Sequence, residues 1–211
     1  MAERRLLERY LDELYAWNAR LNLTAVPREA AWDRHVGEAL GLLEAAPIAE
    51  GCRVVDVGSG AGLPGIPLAV VRPDLELTLC ESDRRRAGFL LHVAGLLGLR
   101  GVRVVALRAE ELGRRPEGRE AFDAAVSRAT AAPAALCELC LPLVRPGGRL
   151  IALVRDAGAA TAECRVAAAT CGGGDPTAAA PGVLVVPKVA TTPDLYPRRP
   201  GVPTRRPIGT G

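Results

Sequence analysis

A chain of 211 residues that is 49% apolar and carries a net charge of +3 can bury one sizeable core, so a single domain with a small appendage is expected. Aromatic residues amount to only 3%, which excludes a surface built on widespread base stacking, and no run approaches the ~20 apolar residues of a membrane span. Lys188 is the only lysine among 27 basic residues. Arginine suits bidentate phosphate contacts, although codon composition in the source organism is the simpler explanation for part of the bias.

In chain order, Leu6, Leu7, Tyr10, Leu11, Leu14, Trp17 and Leu21 recur at three- and four-residue steps and predict an amphipathic first helix. A second helix is expected over 29–44, and residues 1–50 together read as a helical lobe. From Arg53 the pattern changes to short Val-rich runs alternating with Leu- and Ala-rich stretches, the mark of βαβ units. Strands are expected near 53–57, 75–81, 102–107, 122–126, 149–154 and 183–189, and helices near 64–71, 84–98, 131–143 and 156–169. This alternation predicts an α/β fold, an open, doubly wound, mostly parallel sheet over residues 51–190. Such sheets take ligands at the carboxyl ends of the strands. The low-complexity segment 167–182 shows neither period and reads as a loose loop, leaving a further strand there absent or displaced. The basic, Pro-rich tail, 191–211, is expected to lie extended over a surface.

Six cysteines without a framework spacing read as free thiols of a reducing cytoplasm, and the N-terminus, rich in Glu and Arg, is no signal peptide. Cys137 and Cys140 form a CxxC, but no second pair follows and a core position is the simpler reading. No metal is expected, and His35 reads equally well as a helix-packing residue.

The chemistry-bearing stretch is "VVDVGSGAGLPGIPL", residues 54–68. Gly60, Gly62 and Gly65 satisfy the dinucleotide pattern GxGxxG, with Glu81 near the spacing of a ribose-binding acid. A second template fits without an offset: Asp56, Gly58, Gly60 and Gly62 as D-x-G-x-G-x-G, with an acid, Glu81, ending the next strand. The physics separates them. A dinucleotide needs helix N-terminal amides on its pyrophosphate. S-adenosylmethionine has no phosphate and needs bare backbone for its amino acid and ribose. Pro64 and Pro67 suit the first helical turn but would weaken a pyrophosphate cradle.

With that loop in place, the chain resembles the RsmG (GidB) family of small-subunit ribosomal RNA guanine-N7 methyltransferases. The resemblance runs through "WNARLNLTAV", "RHVGEAL", the glycine stretch through "LTLCESDRRRAGFL", "RAEEL", "FDAAVSRA" and "YPRRPGVP", nearly the whole chain. It implies a class I, Rossmann-like methyltransferase fold and S-adenosyl-L-methionine as cofactor. It also implies cofactor contacts from Gly58, its neighbours Gly60 and Gly62, and Leu63, from Glu81 on the second strand, from Ala109 and Glu110 on the adenine side, and from Arg128. The chain has Val154 where the family usually has a lysine.

Guanine N7 attacks a methyl group without first losing a proton, so no general base is expected. RNA affinity is expected from Arg84 and Arg85 in the run to Arg86, and from Arg198 and Arg199 in the tail, through salt-sensitive phosphate contacts. The partner is then small-subunit ribosomal RNA or an assembling subunit, met by a cytoplasmic monomer away from any membrane. A nicotinamide-dependent oxidoreductase and a non-catalytic RNA-binding module are the alternatives.

Overall fold

The computed structural model describes residues 2–128 and 130–209; the outermost residues of the expected lobe and tail lie outside these. Seven strands form one sheet in the order β3-β2-β1-β4-β5-β7-β6. They are β1 (Arg53–Val57), β2 (Glu76–Cys80), β3 (Val102–Val105), β4 (Phe122–Arg128), β5 (Val144–Leu153), β6 (Thr177–Ala180) and β7 (Val183–Pro187). The first five are parallel and β7 runs antiparallel between β5 and β6. Strand order reverses between β1 and β4, which opens a crevice at their carboxyl ends.

Helices α1 (Ala2–Leu21), α2 (Glu38–Ala45), α3 (Gly65–Val71), α4 (Arg84–Leu96), α5 (Ala109–Leu112), α6 (Pro133–Cys140), α7 (Ala157–Thr170) and α8 (Val202–Arg205) cover both faces. The cores follow from the binary pattern. Leu7, Tyr10, Leu11 and Leu14 of α1 are buried and share one apolar cluster with Ile66, Phe89, Leu90 and the near face of the sheet. A second cluster on the far face joins Val55, Val57 and Ala125 to Leu136, Cys137, Cys140 and Cys164. Both positions of the CxxC are therefore core thiols.

The expected helix over 29–44 is real but compound: a 3-10 turn at Arg28–Ala30, a π-helical turn at Trp32–Gly37, then α2. Asp83 starts α4 by accepting the Arg85 and Arg86 amides, and Asp156 starts α7 by accepting the Ala159 amide.

Two expectations need correction. The segment 167–182 is not a loose loop: α7 continues to Thr170, and Thr177–Ala180 forms edge strand β6, paired with β7 through a turn at Pro181 and Gly182. Gly182 sits at φ +78, the backbone a Pro-Gly turn requires. Three alanines hid the strand, because an exposed edge with one small residue type has no alternation to read. The tail also departs from a wholly extended course, since Val202–Arg205 coils into one helical turn, α8, with Pro203 near its start.

Candidate active site

The loop after β1 is folded onto the end of β2. Amides of Gly58 and Ser59 both donate to the Cys80 carbonyl, at 2.9 and 3.2 Å, and the Gly62 and Leu63 amides turn back to the Ser59 carbonyl. Gly58, Gly60 and Gly62 all have positive φ. At Gly60 an added Cβ would meet only the Gly58 carbonyl, at 3.8 Å, so the backbone there faces open space, whereas at Gly62 it would collide with Ile66 Cγ1 at 2.5 Å. Gly58 is also covered: a Cβ there would collide with Thr130, whose Oγ1 would lie 2.7 Å away. Thr130 follows β4, so this contact bridges the two sides of the crevice.

Glu81, one residue past β2, is 6% exposed. Its Oε2 accepts the Gly60 amide at 2.9 Å and its Oε1 accepts the Asp83 amide at 2.8 Å. Each oxygen keeps a further lone pair for another donor. Asp56 lies beneath the loop, fully buried, with Oδ2 accepting the Gly65 amide at 3.0 Å and Oδ1 without a partner among the described residues. Burial pushes its carboxyl up to about 7, against the pull of the Gly65 amide, Ser59 and Arg128. Glu110, at the start of α5, is 3% exposed, and its Oε1 accepts the Gly201 amide at 2.7 Å. Ala109 beside it is buried.

These acids converge. The Cys80 thiol is pushed up to about 12 by burial first, then by Glu81, Asp56, Glu110 and Glu111. The residues present fit S-adenosylmethionine: open backbone at Gly60 lies beside the Glu81 carboxylate, whose spare lone pairs suit ribose hydroxyls, and Pro64 and Pro67 offer no amide to a pyrophosphate.

Arg128 ends β4 on the other side of Thr130. Its Nη1 donates to the Arg34 carbonyl at 2.9 Å and to His35 Nδ1 at 3.2 Å, and lies 3.4 Å from Glu38 Oε2. A guanidinium can only donate, so Nδ1 accepts and the proton of His35 sits on Nε2, which donates to Thr24 Oγ1 at 3.0 Å. Burial first, then Arg128, lowers the ring to about 4 and keeps it neutral. Arg128 therefore ties the N-terminal helices to the sheet while lining a cleft of about 1430 Å³. That cleft lies beyond the carboxyl ends of β4 and β5, with Arg34, Glu38, Thr130 and Asp156 also on its walls. Leu63 is buried under the loop, at the entry to α3.

The arginines separate. Arg84 and Arg199 are exposed, and Arg85 is exposed with Nη2 on the Arg20 carbonyl at 3.1 Å. Arg198, expected at RNA phosphates, has its guanidinium committed inward: it grips Glu138, which is 0% exposed, through Nε and Nη2 at 2.9 and 2.6 Å. Lys188, the sole lysine, is also internal, its ammonium donating to the Leu141 carbonyl at 2.8 Å, to Thr192 and to Glu120. Sequence reading missed Thr130, Glu138 and Glu120; only Glu138 carried a signal, as an acid inside the apolar run "PAALCELCLPLV".

Sheet order and the glycine loop after β1 are those of the class I methyltransferase fold, and the comparisons agree. An S-adenosylmethionine-dependent O-methyltransferase from Thermotoga maritima superimposes with a TM-score of 0.55 over 75% of this chain and 67% of its own, at 14% identity, a likeness of fold. Residues 3–175 match the GidB family model, described as rRNA small subunit methyltransferase G. Ribosomal RNA small subunit methyltransferase G of Moorella thermoacetica is 39% identical over 96% of this chain and 89% of its own length. That of Roseiflexus castenholzii is 42% identical over 95% and 89%. The chain belongs to this family and is a small-subunit ribosomal RNA methyltransferase. Among the described residues no helix is long and apolar enough to cross a membrane.

Proposed function

We propose that the crevice at the ends of β1, β2 and β3 holds S-adenosylmethionine and that the neighbouring cleft receives a guanine of small-subunit ribosomal RNA, which is methylated at N7. The observation that carries this reading is the buried Glu81 carboxylate on the Gly60 amide, an acceptor pair beside open backbone. The family resemblance supplies the N7 specificity. The bound cofactor supplies an electrophilic methyl group on a sulfonium centre.

The chain's own residues do the rest. Glu81 accepts the ribose hydroxyls with its remaining lone pairs. Gly60 presents open backbone to the nucleoside, with Gly58, Gly62 and Leu63 shaping the loop around it, Ala109 and Glu110 border its base, and Asp56 holds the loop from beneath through the Gly65 amide. Thr130 stands between crevice and cleft, where donor and acceptor must meet. Guanine N7 is a lone pair that releases no proton on alkylation. No base is required, and His35, neutral and bonded at both nitrogens, is not placed to be one. Acceleration then comes from alignment, which contributes on the order of 7 to 11 kcal/mol in the best oriented systems.

RNA phosphates meet Arg84, Arg85 and Arg199. The partner is the small-subunit ribosomal RNA, alone or in an assembling subunit, and the chain acts as a monomer. The test is transfer of tritium from labelled S-adenosylmethionine to small-subunit ribosomal RNA, followed by mapping of the modified base. Label at guanine N7 is expected; label at another atom, or none, refutes the assignment. Parallel titration with a nicotinamide dinucleotide is expected to show no binding.

A further inference from the structure

The tail is pinned to the domain through both its backbone and its side chains, by groups that reach across from other elements. Arg119 donates to the Thr192 and Tyr196 carbonyls at 2.6 and 2.9 Å, and Arg114 to the Leu195 carbonyl at 3.1 Å. Glu120 accepts the Thr192 amide at 2.6 Å. The deepest anchor is Glu138 on α6. Its Oε1 accepts the Arg198 backbone amide at 2.8 Å and Nε at 2.9 Å, and its Oε2 accepts Nη2 at 2.6 Å. The same Nη2 donates to the Arg206 carbonyl at 2.7 Å, closing the tail into a loop. Three residues after Arg198, the Gly201 amide reaches Glu110.

We propose that Glu138 and Arg198 are positioning residues for the cofactor site, acting through Gly201 on Glu110, so that the tail forms a wall of that site. This rests on the reading of Glu110 as a cofactor-side acid. A carboxylate buried as deeply as Glu138 is tolerated only while its partner is in place, because an unpaired charge there has no water to solvate it. The pair therefore forms only when the tail is docked, and docking places the Gly201 amide 2.7 Å from Glu110 Oε1, where it orients the carboxylate. The planar fork of arginine matches the two carboxylate oxygens; lysine, a point charge, does not. Arg198 thus acts on the nucleoside side of the reaction, and its exposed neighbour Arg199 faces RNA. By thermodynamic reciprocity, cofactor binding must in turn tighten the tail.

The experiment is calorimetric titration of the full chain and of Arg198→Lys with S-adenosylmethionine, beside steady-state methylation of small-subunit ribosomal RNA. Arg198→Lys is expected to weaken cofactor binding five- to twentyfold. KM for the cofactor should rise in step while kcat and KM for RNA stay within twofold, and Glu138→Gln should show an intermediate loss. Full cofactor affinity in a folded Arg198→Lys chain overturns the proposal, as does a loss confined to KM for RNA. If the variants fail to fold, hydrogen exchange on the wild-type chain decides: S-adenosylhomocysteine is expected to slow exchange of the amides of Arg198, Arg199, Gly201 and Val202 several-fold, and unchanged exchange overturns the proposal. Failure of the wild-type chain to bind S-adenosylmethionine overturns the cofactor reading itself. Wild-type binding with Glu110→Ala unaffected overturns the role of Glu110 and the tail's action through it.

Discussion

The Glu81 carboxylate and the Gly60 amide, 21 residues apart in sequence, meet at 2.9 Å and lock the glycine loop to the end of β2. The same carboxylate is assigned the ribose. Glu81→Ala removes a charged acceptor from both, and hydrogen bonds to charged groups contribute about 1.5 to 3 kcal/mol each. The expected outcome is a loss of S-adenosylmethionine affinity of roughly fiftyfold or more by calorimetry. Wild-type affinity in this variant sinks the site assignment.

Gly58 allows no side chain for two separate reasons, its φ of +70 and the Thr130 side chain packed over it. Left-handed backbone costs a non-glycine residue about 1 to 2 kcal/mol, and overpacking about 1 to 3 more. Gly58→Ala should lower stability in urea by their sum. Adding Thr130→Gly should recover the packing part only, so a double-mutant cycle is expected to give a coupling above about 1 kcal/mol.

His35 shifts stability with pH in a definite sense. The unfolded ring takes a proton near 6.5, whereas the folded ring, buried and facing Arg128, resists it until about 4. The stability contributed by the neutral ring is full above pH 6.5 and is lost as pH falls towards 4. His35→Gln cannot titrate, so its urea midpoint should fall less steeply across that window than the wild type's. Equal slopes refute the assignment.

Asp56 acts in the opposite direction. Burial raises its carboxyl from 3.8 to about 7, so the protonated form stabilises the fold fully below 3.8, and that contribution is lost as pH rises through 7. Asp56→Asn retains an acceptor for the Gly65 amide without the charge. It should raise stability at pH 8 by on the order of 1 to 3 kcal/mol and far less at pH 5. Equal gains at the two pH values contradict the buried-charge account.

Arg84 and Arg199 are exposed and carry no side-chain hydrogen bond or ion pair within the described residues. Changing both to Ala should weaken RNA binding and reduce the slope of log affinity against log salt, by about 0.7 to 0.9 for each RNA phosphate no longer neutralised. Cofactor affinity should persist. A slope identical to the wild type's places the RNA elsewhere.

Much of this architecture is legible in linear form, because the interactions behind it are local. The α1 stripe repeats at helical steps, the buried strands are short Val-rich runs, and Asp56, the glycines and Glu81 lie within one βαβ unit whose geometry fixes their separation. Edge strand β6 is the instructive miss, since its alanines carry no period and Pro181-Gly182 was its only mark.

Residue type and local spacing by themselves determined the class of fold, the glycine loop and the acid that faces it. Only the tertiary structure decided what the charged residues do. Arg198 and Arg199 are adjacent and identical, yet one is drawn inward by the buried Glu138 and the other is left to solvent. The sole lysine is a buried cross-link between Leu141, Thr192 and Glu120. The physical reason is that a charge takes its role from its burial and its partner, and the partners that hold these two inside, Leu141 and Glu138, lie 47 and 60 residues away in the chain.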